Sequence, residues 1–534
     1  MLVSKVVADI AVEKAPFGFG PEELAEAFRR DSEVAVVFSL SKLHIEQFSV
    51  RLIEDRGQQA RVQLHSLHQG TCTALSQKDV AKTFWFSHVL EMASPEWSSL
   101  LELYQRIIGS GSLSHPNEEG HRKRKRGVYS VPVVLWLMML QRLRSGGTLA
   151  CVVQLLLQGA ADPLLTPCRR VRHKRISSRT GGYCQARQKL PTLLCRQVSQ
   201  EIVERLRVVL NQARPDGHAN VFVVDGSSLE LEHDRQLLKL YPPASNQHGE
   251  SHWPILRLVV MHDAETGLAQ PPCWGPMYGA NAVSEQELAE KAMHALPADA
   301  VIVGDRNFGI FWLANAAQQR KICVVLRLTD VRARKLAKPI SQPGEYPVIW
   351  SASRWDAGKD RSGPIAGGVT GRLIAARVGR GKSKQWLYLF TTLAGSAEDI
   401  VELYGRRWNI ETDLRSLKRT VRLHHIHAKS NEMMEKELLM AVSAYNLVRA
   451  VMCMAARRNG IEPRQLSFTH VLNVVEAAWP NLTAAKARQD HDQMFFRVLD
   501  LAAQCTLPKR KKHRSFPRTQ WRRGGPKQFR KAEN

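Results

Sequence analysis

Apolar residues recur along this chain with two different periods, and the switch between them divides it. From about 131 to 211 they repeat at helical intervals, predicting helices over roughly 131–144, 148–158 and 191–211. From Asn220 onward the apolar residues gather in short β-branched runs, at Asn220–Asp225, Pro254–Asp263, Ala300–Asp305, Cys323–Leu328 and Gln385–Thr392. Helical segments fall between and after these strands, at 284–296, at about 309–319 and at 432–458, and Ser284 and Glu287 have capping-box spacing. Strands alternating with helices predict an α/β fold. Residues 330–383 break the rhythm, being rich in Gly, Pro, Ser and Arg with β-like pieces at Pro347–Trp350 and Arg372–Val378, and predict a β-rich insertion. Earlier, a helix is predicted after Gly20-Pro21, while Val34–Leu40 and Phe48–Ile53 suit strand and buried helix equally.

The stretch Glu402–Lys418, ELYGRRWNIETDLRSLK, holds no proline and many helix formers, and predicts a helix. On that helix Tyr404, Arg407, Glu411 and Lys418 fall within roughly 60° of one another, at about 100° per residue. Leu403, Ile410, Leu414 and Leu417 form a separate apolar stripe suited to packing on a sheet. One edge thus presents a phenol, a guanidinium, a carboxylate and an ammonium together. A solvated face with an i,i+4 Arg–Glu pair accounts for it; so does a metal-binding carboxylate held among phosphate-binding cations. Asp413 falls at about 180° on the same wheel, away from that edge.

Charge sharpens the choice. The 534 residues carry 76 Lys and Arg against 50 Asp and Glu, a net charge of +26, and imply a polyanionic partner, nucleic acid before membrane. Eleven of these cations, against one Glu, lie in the tail from Pro508, which is poor in apolar residues and predicted to be disordered. A second basic cluster, Arg122–Arg126, ends a Gly- and Ser-rich stretch that reads as a linker. Nine cysteines with no C-x2-C pair suggest neither a zinc knuckle nor a disulfide framework and fit a reducing compartment. No signal peptide is recognised at the N-terminus, and the longest apolar run, Val131–Leu140, is too short to span a bilayer, so a soluble protein is expected.

Three carboxylates stand at telling places: Asp225 after one strand, Asp305 after another, and Glu411 on the helix that follows the last strand. Strand-end carboxylates converge at one edge of an open sheet. So gathered they repel one another unless divalent cations neutralise them, and two such ions about 4 Å apart suit in-line attack on a phosphodiester. An Asp opening a turn is also ordinary turn chemistry, and Asp263 beside the Glu265-Thr-Gly267 hairpin is a rival for either strand-end position. The histidines 424, 425 and 427 suit loop polarity or DNA contact better than a metal cluster.

Asp225-Gly-Ser-Ser, Asp305-Arg-Asn-Phe-Gly and Tyr404-x2-Arg407-x3-Glu411-x6-Lys418 together resemble the bacterial insertion-sequence DDE transposases that carry a Tyr-Arg-Glu-Lys signature. The resemblance spans roughly 125–455 and includes Tyr183-Cys-Gln-Ala-Arg187. It implies a ribonuclease H-like catalytic core with a mainly β insertion between the second Asp and the Glu. It implies Asp225, Asp305 and Glu411 as the catalytic, metal-binding triad for two divalent ions, magnesium or else manganese. Tyr404, Arg407 and Lys418 would hold the DNA backbone near the cleaved end. Family members cut transposon ends, several through a hairpin intermediate, and some steady a flipped base on an aromatic residue of the insertion, for which Trp350 and Trp355 are candidates. Asn307 stands where glycine is expected, and asparagine also tolerates a left-handed turn.

The expected chain is therefore α/β, with a mainly helical N-terminal region before the catalytic core and a helical, basic C-terminus after it. Its expected segments are 1–115 for possible DNA-end recognition, 116–215 helical, 216–322 and 385–430 the two core parts, 323–384 the insertion, 431–507 helical and 508–534 the basic tail. The expected activity is metal-dependent cleavage of transposon ends and strand transfer into target DNA. The expected partners are double-stranded DNA, both terminal inverted repeats and target, and a second copy in the paired-end complex, with no membrane, in the cytoplasm at the bacterial chromosome. A DNA-end-binding protein without catalysis and a nuclease without strand transfer are the alternatives.

Overall fold

The structure, a computed structural model, describes strand segments at 33–38, 46–55, 60–66 and 72–73, and residues 127–508 apart from 145–146, 166–167, 212–219, 247–248, 354–366, 380–384, 425 and 485–487. The four early segments are strands β1 (Glu33–Phe38), β2 (Glu46–Asp55), β3 (Ala60–Ser66) and β4 (Cys72–Thr73), paired in that order into a sheet whose neighbours are antiparallel. The runs Val34–Leu40 and Phe48–Ile53, which the sequence left open between strand and helix, correspond to β1 and β2. Short apolar runs there do not distinguish helix from strand locally; cross-strand pairing decides them. The basic cluster 122–126, the tail from 509 and Trp355 lie outside the described residues.

Helices α1 (Val131–Leu143), α2 (Leu149–Leu157), α3 (Gly181–Lys189) and α4 (Thr192–Asn211) follow; α1, α2 and α4 lie close to the predicted bounds, and α3 was not predicted. Then comes an eight-stranded sheet. Its strands are β5 (Asn220–Glu230), β8 (Ile255–Asp263), β9 (Cys273–Pro276), β10 (Ala300–Gly304), β11 (Cys323–Arg327), β12 (Gly344–Trp350), β13 (Val369–Val378) and β14 (Gln385–Thr391), with the small hairpin β6 (Ser245–Asn246) and β7 (Gly249–Glu250) set apart. The order across the sheet is β12-β13-β14-β11-β10-β5-β8-β9. Among the described strands of this sheet, the parallel pairs are β5 with β10 and β10 with β11. Of the interval 323–384, β11 lies inside the sheet between β10 and β14, and β12 and β13 extend the same sheet through β13 pairing with β14.

Apolar side chains alternate between the two faces of the sheet. Phe222, Val224, Ile302 and Val324 point into a core covered by α5 (Glu285–Met293) and α6 (Phe311–Gln319). Val223, Val303 and Val325 point into a larger core shared with the remaining helices. Ser284 and Glu287 form the capping box predicted for α5. Two predicted boundaries shift. β5 does not end at Asp225 but runs on to Glu230, because Asp225–Glu230 keep pairing with Val260–Ile255 of β8; ladder pairing overrides the turn preference of Asp-Gly-Ser-Ser. The stretch 402–418 is not one helix: α7 (Ala397–Gly405) and α8 (Trp408–Arg415) meet at a turn, and Ser416–Thr420 continues as a π-helical turn. Gly405, a poor helix residue, sits at the break.

The centre of the larger core is α9 (Asn431–Arg458), followed by α10 (Phe468–Ala484) and α11 (Arg488–Ala503). By length and composition α9 is apolar enough to cross a membrane, yet 94% of its most apolar window is buried inside the protein, so it is a core helix here. Its polar residues are paired rather than solvated. Glu437 takes ion pairs from both Arg142 of α1 and Arg187 of α3, and Lys436 pairs with Glu432 at 2.7 Å. Tyr183 and Arg187, part of the family-like Tyr183–Arg187 stretch, thus belong to this buried junction, with the guanidinium 5.5 Å from the ring centre. Removing Glu437 strands two buried guanidinium groups. Glu437→Ala is therefore expected to cost about 3–5 kcal/mol of stability, measured by chemical denaturation of the full chain.

Candidate functional site

Asp225 and Asp305 sit on adjacent parallel strands. The register pairs Val303 with Val223, which carries Asp305, one residue beyond β10, to the level of Asp225. Asp225 is half-buried, and its Oδ1 accepts from the Gly226 amide at 2.8 Å. Burial and the neighbouring charges of Asp305 and Glu285 push its carboxyl up to about 6, against the pull of the Gly226 amide and Arg407. The turn carrying Asp305 is fastened by Phe308, fully buried, and by Arg332, whose Nη1 donates to the Gly309 carbonyl at 3.0 Å. The Asn307 amide donates to Asp305 Oδ1 at 2.8 Å.

The signature residues come to the same strand from the helical side. Lys418 Nζ donates to Ser227 Oγ at 3.0 Å and to the Ser228 carbonyl at 3.1 Å, two and three residues past Asp225. Burial, then Arg419, lowers its pKa below the ordinary lysine value. Arg407 is buried and stands between the carboxylates: it bears electrostatically on Asp225, and its Nη2 lies 3.7 Å from Glu411 Oε1. Its guanidinium lies 5.9 Å from the Tyr404 ring centre and 5.0 Å from that of Trp408. The buried Tyr404 hydroxyl and Arg407 Nε have no hydrogen-bond partner among the described residues. Trp408 is 61% exposed beside them. Arg407 and Lys418 thus reach β5 at and just past Asp225, while Tyr404 and Glu411 are tied to Arg407, across a helix break rather than along one helix.

The rivals are otherwise engaged. Asp263 Oδ1 accepts from Glu265 N, Thr266 N and Thr266 Oγ1 at 3.1, 2.8 and 2.9 Å, so this carboxylate builds its own hairpin turn. Asp413 is buried on the opposite side of α8, 2.5 Å from Arg464 and 3.8 Å from His262. Trp350 is a core residue, edge-on to Phe311 and Phe390, which removes it as a platform for a flipped base. His424 bonds to the Lys418 carbonyl and His427 to Glu232, and His425 lies outside the described residues.

Sequence reasoning missed Glu285. It opens α5, where the sequence shows only a capped helix start, yet its carboxylate occupies the space that a Cβ on residue 226 would need. Burial, then the charge of Asp305, raises its carboxyl against Arg257 and Asn307. Gly226 therefore serves close approach within a strand, not a turn. The Asp-Gly pair was the available signal.

Asp225 and Asp305 offer the hard oxygen donors a divalent cation takes, and their mutual repulsion is what such a cation relieves. Glu411 is drawn to Arg407 instead, and among the described residues no three His, Cys, Asp or Glu are grouped closely enough to hold a metal ion. The pair fits a metal; the third carboxylate would have to leave Arg407 to join it.

Residues 216–447 match the family model described as the transposase DDE domain. The chain is also 26% identical over 352 residues to the transposase InsG for insertion sequence element IS4 of Escherichia coli (strain K12), a match covering 62% of this chain and 74% of that protein.

His262 links this site to the core. It is fully buried at 3.3 Å from the Gly267 carbonyl, and burial lowers its pKa to about 4 against the upward pull of Asp413, with Arg464 and Arg449 also disfavouring its charge. Burial opposes the ionisation of Asp413, yet Arg464, Arg449 and His262 hold it below the ordinary carboxylate range. Between pH 6.5 and 4 the unfolded chain takes up a proton at His262 that the folded protein refuses. Stability is therefore expected to fall with falling pH across that window, by up to about 1.4 kcal/mol per unit from this group. Denaturation midpoints of wild type and His262→Gln across pH 7.5–4.5 check this; the slope should be shallower in the variant.

Proposed function

We propose that this chain, whose residues 216–447 match the transposase DDE domain and which is 26% identical over 352 residues to an insertion-sequence transposase, cuts the ends of its element and joins them to target DNA, with Asp225, Asp305 and Glu411 as the catalytic carboxylates. The observation that carries this reading is the approach of Asp305, just past β10, and of Arg407 and Lys418, from the helical side, to the middle of β5 around Asp225, with Glu411 tied to Arg407. The sheet order β9-β8-β5-β10-β11, with β8 antiparallel and β10 parallel to β5, supports the ribonuclease H-like reading of the core, and β12 and β13 stand where the β-rich insertion was expected.

Asp225 and Asp305 would hold a divalent cation, joined by Glu411; magnesium or manganese, two ions when both are bound, would activate the attacking oxygen and steady the leaving one. The chain's own residues do the rest. Arg407 Nε and the Tyr404 hydroxyl are buried donors without partners among the described residues, which a phosphate oxygen would satisfy. Lys418, anchored on Ser227 and Ser228, would offer a positive charge two residues past Asp225 to the backbone of the cleaved strand. Trp408 offers an exposed indole face on which an unpaired base can stack. Two copies, one per element end, would form the paired-end complex. Terminal repeats and target DNA are the two substrates, and residues 1–115 and the basic tail are assigned to DNA contact.

A cleavage assay on DNA bearing the element's ends, with magnesium, manganese or EDTA, tests this. Metal-dependent cuts at the element boundary are expected from wild type and none from Asp225→Ala. Wild-type binding without cutting would instead favour an end-binding protein, and cutting without strand-transfer products a nuclease. Glu411→Gln is expected to keep end binding within about threefold while losing cleavage by at least about 10³. Lys418→Ala should cleave weakly and reduce the slope of log affinity against log salt by about 1, read from binding isotherms at several salt concentrations.

A further inference from the structure

Glu285 lies outside the expected triad, and nothing in the proposed chemistry above uses it. Three features set it apart from a helix-capping acid. First, α5 already has its cap: Ser284 and Glu287 close the capping box, with Ser284 Oγ accepting from the Glu287 amide at 3.2 Å and Glu287 Oε2 accepting from the Ser284 amide at 2.8 Å. Glu285 is thus free of that duty. Second, its carboxylate is packed over Gly226, the residue after Asp225, in space that any side chain at 226 would take. Third, it is aimed by a clamp on the Asp305 turn: Asn307 Nδ2 donates to Glu285 Oε2, and Gln286 Nε2 donates to Asn307 O and Oδ1, each at 2.8 Å. The Asn307 backbone amide in turn holds Asp305. Asn307 is not in the left-handed region, so its side chain, and not its tolerance of unusual backbone, is what the position uses.

One short chain of contacts therefore runs from Asp305 through Asn307 to Glu285 and onto the strand at Asp225. We propose that Glu285 is a positioning carboxylate beside the cation site and not one of its ligands: its negative charge, oriented by Asn307, strengthens the hold of Asp225 and Asp305 on a divalent cation. This rests on the reading of Asp225 and Asp305 as cation ligands. The physical cost is repulsion among carboxylates in the cation-free protein, offset when the cation binds. A merely structural Glu285 has no reason to show that trade.

The test uses the full chain without DNA and the manganese ion itself as probe. Free Mn2+ is followed by electron paramagnetic resonance during titration of wild type, Glu285→Gln and Asp225→Ala, and melting temperatures are taken in EDTA and in Mn2+. Glutamine keeps an acceptor for Asn307 and removes only the charge. Glu285→Gln is expected to weaken Mn2+ binding about tenfold, to melt in EDTA no lower than wild type, and to gain less on adding Mn2+. Wild-type affinity in Glu285→Gln, with binding lost in Asp225→Ala, overturns the inference and leaves the proposed function standing. A lower melting temperature in EDTA makes Glu285 a structural residue and also overturns it. Equal binding by wild type and Asp225→Ala removes the cation site at Asp225, and the inference falls with that reading.

Discussion

The buried polar seam along α9 fixes where everything else can sit. A fully apolar helix of this length can slide or rotate in a hydrophobic core at modest cost; one studded with buried hydrogen bonds cannot. Asn446 both accepts from the Ala269 amide and donates to the Ala269 carbonyl, at 2.8 Å each, so it completes a strand edge with a side chain. Tyr445 donates to the Gly267 carbonyl, and Arg449 to that of Thr266. The turn after β8 is thus held to the middle of α9. Just past α9, Arg464 reaches back to the Asp263 and Ala264 carbonyls and to Asp413 on α8. The helix carrying Glu411 is therefore indexed to the sheet through residues that are not themselves at its polar edge. Asp413, two positions from Glu411, is the coupling.

Given that frame, the site is a problem in placing like charges. Asp225, Asp305 and Glu285 stand near one another at the middle of β5, and Arg407 is a buried cation that faces Asp225 and Glu411. Its hold on Glu411 is loose, at 3.7 Å with a carboxylate 40% exposed, whereas Asp413 is gripped at 2.5 Å and nearly sealed. The difference is functional in the proposed reading. An ion pair at that distance and exposure is worth about 1 kcal/mol or less, and a carboxylate so held can be handed to a metal. A pair like Asp413–Arg464 cannot.

The sequence carried the periodic parts of this arrangement and lost the parts set by neighbours. Helix α5 with its capping box, the hairpin after β8 and the strand before Asp305 were legible because each is fixed by local chemistry. The apolar stripe Ile410, Leu414 and Leu417 was legible too, and all three are buried. The run of β5 past Asp225 was not, because the Asp-Gly-Ser-Ser tetrapeptide taken alone favours a turn; only β8 alongside it supplies the ladder. The break at Arg406–Arg407 was hidden by the good helix formers around it. The N-terminal strands were undecided because their apolar runs are too short for period to separate strand from helix. Glu285 was invisible for another reason: its partner is the absence of a side chain at position 226, and an absence shows only when something occupies the space.

That absence also explains why Gly226 is placed in the interior of a strand, where glycine is otherwise unfavourable. β5 must do two things at one point along its length. It must keep its register with β8 and β10, so that Asp225 and Asp305 stay level. It must also admit a carboxylate from α5 and an ammonium from the π-helical turn after α8, the latter reaching Ser227 and Ser228. Residues with small or no side chains at 226, 227 and 228 satisfy both demands, and larger ones satisfy only the first. The stretch is therefore better understood as a strand thinned to let charged groups from two helices close on Asp225 than as the turn its composition suggests. On this view the helical break before Trp408 has a purpose as well. It lets Arg407 turn inward beneath the sheet end while Lys418 reaches the strand from farther along, a pair of positions that one unbroken helix would have fixed to a single line.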